Sequence, residues 1–124
     1  MSDNNLATSV VLAGVGGQGI LLASEIVARA AMIAGFDVKT NEVHGMAQRG
    51  GSVIAQIRYG REVHSPLVPV GAARVLGSFE VVEALRHAHY LAPDGLAVVS
   101  TQEIVPVTVS SGATRYPDDA RERL

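Results

Sequence analysis

Cysteine is absent from this 124-residue chain. Disulfides, thiolate-held iron–sulfur clusters and cysteine nucleophiles are thereby excluded from it. Aromatic residues make up only 4%, with no tryptophan, too few for a base-stacking surface. A net charge of −2 supplies no basic patch for nucleic acid or anionic lipid, so neither is expected as a partner. No apolar run approaches about 18 residues, so no membrane span is expected and the chain is read as soluble and cytoplasmic. Catalytic signatures are missing as well. There is no G-x-S-x-G turn, and His44, His64, His87 and His89 do not form a metal set. His87 and His89 stand two apart and diverge on a helix. No catalytic residue and no metal ligand is assigned, and any hard chemistry is expected on another chain.

What the chain does have is apolar content, 48% of its residues, and glycine in two concentrated segments. Its length suits a single domain, residues 1–124, with no linker or internal repeat. Val10 to Ala13 is a continuous apolar run of the kind found in a strand buried on both faces. GVGGQG follows at Gly14–Gly19, with four glycines in six residues, so the backbone can take positive φ and approach another surface closely. Its N–H groups and the start of the next helix suit an anion such as phosphate or carboxylate. That helix is predicted over Ile20–Ala34, with Ala23, Ile26, Val27, Ala30 and Ala34 inward and a Glu25–Arg29 pair outward. Gly35 stops it as a C′ residue.

Phe36 to Thr40 alternates as a second strand and is expected to complete a parallel βαβ crossover. The second glycine-rich segment, NEVHGMAQRGGS, spans Asn41–Ser52 and should lie at the rim where open α/β sheets bind ligands. Ser52–Tyr59 reads as a strand. Gly60-Arg61 reads as a turn into an edge strand at Glu62–Ser65, limited by Pro66 and Pro69. Arg74–Gly77 is a short buried strand. Ser78 is placed to cap a helix from Phe79 to about His89, with Val82 and Leu85 inward and Glu83 paired to His87. Pro93–Gly95 makes a turn before a buried strand at Leu96–Ser100. Ile104–Val109 is a further strand interrupted by Pro106. The fold class is therefore α/β, three-layered, around a mostly parallel or mixed sheet with a βαβ opening.

Gly14, Gly16 and Gly19 match the dinucleotide-binding fingerprint, with Glu42 near the place of a ribose-binding acid. The same glycines also serve a tight turn with no ligand. A stand-alone NAD- or FAD-binding oxidoreductase thus stands as one reading, and an anion-holding binding module as another. A P-loop is excluded because Ile20 and Leu21 occupy the Lys and Ser/Thr positions. Gln18 can bond a ligand or tie the turn to the second glycine-rich segment. Arg49, beside Gly50-Gly51, can pair with a carboxylate or phosphate or make a surface ion pair. His44 can carry a proton, touch a ligand or be a structural residue.

Taken together, GVGGQGILLASEIVARAA and NEVHGMAQRGGSV resemble the γ-type domain of the 2-oxoacid:ferredoxin oxidoreductases. HSPLVP (His64–Pro69), RVLGSFEVVEALR (Arg74–Arg86), PDGLAVVST (Pro93–Thr101) and the RYP of Arg115–Pro117 follow in the family's order. Within it the resemblance is to members that act on indolepyruvate or another arylpyruvate. The resemblance implies a subunit of a thiamine-diphosphate-dependent enzyme that decarboxylates a 2-oxoacid oxidatively to an acyl-coenzyme A and passes electrons to ferredoxin. It implies no cofactor bound by this chain alone. Thiamine diphosphate and iron–sulfur clusters would belong to a large α subunit, with ferredoxin reached through the complex and coenzyme A as co-substrate near the interface. It places Gly14, Gly16, Gly17, Gln18 and Gly19 at that inter-subunit face with His44, Gln48, Arg49, Gly50 and Gly51. It also implies a further helical portion beyond Leu124, so the chain is expected to be short at its C-terminus relative to the family.

Overall fold

A computed structural model describes residues 7–44 and 51–101. Five strands, β1 (Thr8–Val15), β2 (Asp37–His44), β3 (Ser52–Gly60), β4 (Ala73–Ser78) and β5 (Leu91–Val99), form one sheet in the order β2-β3-β1-β4-β5. Helix α1 (Ile20–Ile33) joins β1 to β2, while α2 (Val81–Arg86) and a 3-10 turn at Ala88–Tyr90 join β4 to β5. β1, β4 and β5 are parallel neighbours, and β3 runs antiparallel to both β1 and β2. The sheet is mixed, as expected.

The opening differs from expectation in one respect. β1 and β2 run the same way but are not neighbours, because β3 lies between them. β2 is also longer than Phe36–Thr40. It continues through Asn41–His44, which pair with Gln56–Val53 of β3 to form a hairpin. Its polar sequence is that of an edge strand, with no residue fully buried.

Insertion of β3 also removes the hairpin expected after Gly60. Both edges of β3 are occupied, so a return strand at Glu62–Ser65 has no free edge to join. Residues 61–72 instead cross the sheet as an extended segment held by side chains. Arg58 Nη1 donates to the Ser65 carbonyl at 3.1 Å, the Val63 N–H to Asp37 Oδ2 at 2.9 Å, and the Val68 N–H to Gln56 Oε1 at 2.7 Å.

The core has two sides. Val10, Leu12, Val53, Ala55 and Ile57 pack with Ile20 under α1, whereas Val11, Ile54, Ala73 and Leu76 pack with Val68 on the opposite face. Ser52 lies on the second face and bonds Glu83, so α2 sits there and the domain has three layers. The buried side of α1 is Ile20, Ser24 and Ala31, with Ala23 and Val27 half-buried; Ile26, Ala30 and Ala34, expected inward, are exposed. Gly35 ends the helix at φ +96°. Its N–H reaches the Met32 carbonyl and that of Phe36 the Ala31 carbonyl, both at 3.0 Å, a Schellman closure.

Three expectations near α2 and β5 are corrected. The helix is six residues, capped by Glu80 rather than Ser78, because Ser78 Oγ is used by the Glu80 carbonyl at 2.7 Å. Val81 and Ala84 face inward, and Val82 and Leu85 are only half-buried. Among the described strands β5 lies at the sheet edge, and its Leu96 and Val98 are 60% and 57% exposed where a buried strand was expected. Pro93–Gly95 falls inside it as a bulge, where the pairing jumps from Ala73↔Leu91 to Val75↔Leu96. The expected strand at Ile104–Val109 lies outside the described residues.

Candidate functional site at the glycine rim

The carboxyl ends of β1, β4 and β5 share one rim. At this rim the connection from β1 leads to α1 on one face, and that from β4 leads to α2 on the other. Such a switch point leaves a crevice outside the strand ends. Here it is lined by Gly17, Gln18, Gly77, Ser78, Phe79, Val98, Val99 and Ser100, with a volume near 670 Å³. Gly77 lets β4 pack closely against β1, since a Cβ there would lie 3.0 Å from the buried Leu12 side chain.

The glycine turn is tight for identifiable reasons. Gly17 and Gly19 have φ of +97° and +86°, values that a β-branched residue adopts only under strain. Gly14 has no room for a Cβ, which would meet Ile20 Cδ1 at 2.7 Å and Gln18 Oε1 at 2.8 Å. Gln18 holds the turn closed with both ends of its amide. Oε1 accepts the Val15 N–H at 2.7 Å and Nε2 donates to the Phe79 carbonyl at 2.8 Å. The Nε2 bond joins the turn to the β4–α2 connection, and the link expected to the second glycine-rich segment is a separate one. That second link is made by the backbone. The Gly16 N–H donates to the Gly51 carbonyl at 2.8 Å.

His44 stands at the end of β2, exposed, and lines a hollow near 450 Å³ with Gly16, Gly17, Gly19, Ile20, Leu21 and Val53. The structure therefore brings together Gly14, Gly16, Gly17, Gln18, Gly19, His44 and Gly51. Gln48, Arg49 and Gly50 lie outside the described residues. Helix α1 begins on this rim with Gly19 as its N-cap and, among the described residues, no side chain bonding its first turn. Its leading N–H groups lie beside the hollow, an arrangement that favours an anion.

Glu42 does not join this group. It lines a separate hollow along α1 with Ser24, Ala28, Met32 and Thr40. In a dinucleotide-binding fold the acid sits on the strand next to β1. Here β3 occupies that place and puts β2 two strand spacings away, about 9.5 Å.

Sequence reasoning missed the residues that α2 and β4 contribute. Glu83, on the inner side of α2, accepts Ser52 Oγ–H at 2.5 Å, with Arg86 Nε at 3.4 Å and His87 Nε2 at 3.6 Å. Burial pushes its carboxyl up, but the nearby His87 ring, the Ser52 hydrogen bond and the charge of Arg86 outweigh this and hold it below its ordinary value. The i, i+4 spacing of Glu83 and His87 was the available signal, although such pairs usually mark a solvated face. Among the described residues, no group of three or more His, Asp or Glu side chains converges to hold a metal. No helix among them is long and apolar enough to cross a membrane.

Residues 9–123 match the family model described as pyruvate ferredoxin/flavodoxin oxidoreductase. The chain is 50% identical over 109 residues to indolepyruvate oxidoreductase subunit IorB of Thermococcus kodakarensis, covering 88% of this chain and 54% of that protein. It thus spans about half the length of this curated relative. The fold is similar to pyruvate oxidoreductase subunit PORC of Thermotoga maritima, with a TM-score of 0.64 and 24% identity over 80% of this chain and 52% of that one. It is also similar to 2-oxoglutarate:ferredoxin oxidoreductase of Magnetococcus marinus, solved with 2-oxoglutarate, coenzyme A and succinyl-CoA bound. There the TM-score is 0.65 and the identity 22%, over 93% of this chain and 18% of that one.

Proposed function

Since the chain belongs to the pyruvate ferredoxin/flavodoxin oxidoreductase family, we propose that it is the cofactor-free subunit portion of an indolepyruvate or other arylpyruvate ferredoxin oxidoreductase. The enzyme oxidatively decarboxylates the 2-oxoacid, transfers the acyl group to coenzyme A and passes two electrons to ferredoxin in the cytoplasm. The observation that carries this reading is the half-identity to an indolepyruvate oxidoreductase subunit across nearly all of the chain.

Thiamine diphosphate and iron–sulfur clusters do not fit this chain. It has no thiolate to hold a cluster, and its described acids do not converge on a divalent cation of the kind that anchors a diphosphate. Both groups belong to a large partner subunit, and no step is assigned to them here. Coenzyme A does fit the rim. When bound, it supplies the thiol that accepts the acyl group. The first turn of α1 and the glycine N–H groups would take a phosphate, and the apolar wall of Phe79 and Val98 would lie along the pantetheine arm. The role of this chain's own residues is to bind, orient and exclude water.

Co-expression with the large cysteine-rich subunit tests the reading. Indolepyruvate- and coenzyme A-dependent reduction of ferredoxin should require both chains. A chain that remains monomeric beside that subunit, or a large subunit fully active alone, would overturn it.

A further inference from the structure

Glu83 is 3% exposed on a helix of six residues, in a position where an apolar side chain would pack beside Val81 and Ala84. A buried carboxylate is costly, and replacing a buried ion pair by apolar side chains is often neutral or stabilising. Its presence calls for a task that packing does not perform, and its bonds identify one. Glu83 Oε1 accepts the hydroxyl of Ser52, the first residue of β3. Ser52 pairs with Val15, the last residue of β1, and the preceding Gly51 carbonyl receives the Gly16 N–H. One side chain from the α2 face therefore holds the point where the two glycine-rich segments are bonded to each other.

Three groups face this carboxylate: Ser52 from β3, Arg86 from α2 and His87 from the C-cap of α2, while the Glu80 carboxylate accepts the Glu83 backbone N–H at 3.0 Å instead. His87 Nε2 is buried and makes no hydrogen bond, at 3.6 Å from the oxygen that Ser52 occupies.

We propose that Glu83 is a positioning residue for the rim, fixing through Ser52 the height at which Gly51 meets Gly16. The link to coenzyme A rests on the function proposed above; the link to the glycine turn does not.

The test is amide hydrogen exchange in the full chain, combined with kinetics of the assembled enzyme. In Glu83→Ala, protection of the Gly16 amide should fall at least about tenfold, the equivalent of one charge-assisted hydrogen bond, while Val11 in the middle of β1 changes less than about twofold. Ser52→Ala, which keeps the helix intact, should loosen Gly16 in the same way. Glu83→Gln, whose amide oxygen still accepts the hydroxyl, should restore it. In the complex, Glu83→Ala should raise the KM for coenzyme A with kcat little changed, and Glu83→Gln should return it. Unchanged Gly16 protection in Ser52→Ala, or equal loosening of Gly16 and Val11, would overturn the proposal even if Glu83→Ala does not fold. A loosened Gly16 with an unmoved KM would uphold Glu83's role and overturn the rim's link to coenzyme A.

Discussion

Helix α1 lies on one face of the sheet and α2 on the other, and they are fastened by opposite means. α1 has fourteen residues, no side-chain cap, no acid in its first turn and no base in its last. Small and apolar residues hold it: Ile20, Ser24 and Ala31 inward, Ala23 and Val27 beside them. α2 has six residues, too few for independent helicity, and beside the buried Val81 and Ala84 it is held by polar bonds that α1 lacks: the Glu80 cap and the buried Glu83–Ser52 bond. The contrast extends to their outer surfaces. α1 carries Leu22, Ile26 and Ile33 outward, the last 88% exposed, whereas the outward residue in the last turn of α2 is Arg86. The outer side of α1 thus sets a stripe of exposed apolar side chains beside the exposed Glu25–Arg29 pair, and that stripe is the part of the helix suited to being covered.

The largest test of this contrast is Ile20→Ala. Ile20 is buried at the head of α1, packed over Gly14 and against the β1–β3 face. Its truncation should cost about 2–5 kcal/mol, measured by chemical denaturation. A loss below about 1 kcal/mol would show that α1 does not depend on apolar packing in the way described.

Gly17→Val comes next. Among the described residues nothing lies within 4 Å of where its Cβ would be, so the expected penalty is that of backbone conformation, about 1–3 kcal/mol. A variant of unchanged midpoint would mean the turn relaxes out of positive φ without consequence to α1. This turn, its glycines and the stop at Gly35 were legible in the sequence because they are local: each depends on a conformation that one residue type adopts freely. Strand order was not. Whether β3 joins an outer edge or inserts beside β1 is decided by pairing between residues some forty positions apart, and residue alternation is the same in both cases. β2 was read short because Asn41 and Glu42 disfavour strands, a preference that a half-solvated edge overrides. Leu96 and Val98 were read as buried because hydrophobicity records what a surface requires, not whether this chain supplies it. Glu83 was legible as a helical pair with His87, but its partner Ser52, 31 residues away, was not.

The third test uses pH and addresses α2 alone. The folded carboxyl of Glu83 is held below its ordinary value, so its contribution is fully present above the ordinary glutamate range and is lost as pH falls through the folded value. Wild type and Glu83→Gln should therefore converge in stability on acidification. Asp37, also held low, chiefly by the Val63 N–H and by Lys39, is common to both proteins and cancels in the difference. A gap that stays constant from neutral pH to strongly acid pH would mean that the Ser52 bond does not depend on the carboxylate's charge.

The smallest expected effect bears most directly on α1. Ile26→Lys places a charge on the outward stripe, opposite the residues that hold the helix to the sheet. Lysine and isoleucine differ little in helix propensity, and the site has solvent to offer the ammonium, so stability should stay within about 0.5 kcal/mol of wild type. What should change is association: scattering from the isolated chain should fall, because the substitution interrupts a contiguous apolar strip. A loss approaching that of Ile20→Ala would place Ile26 in the core of the fold and erase the distinction between the two sides of α1. Retained stability with reduced association would instead assign the inner side of α1 to folding and the outer side to assembly.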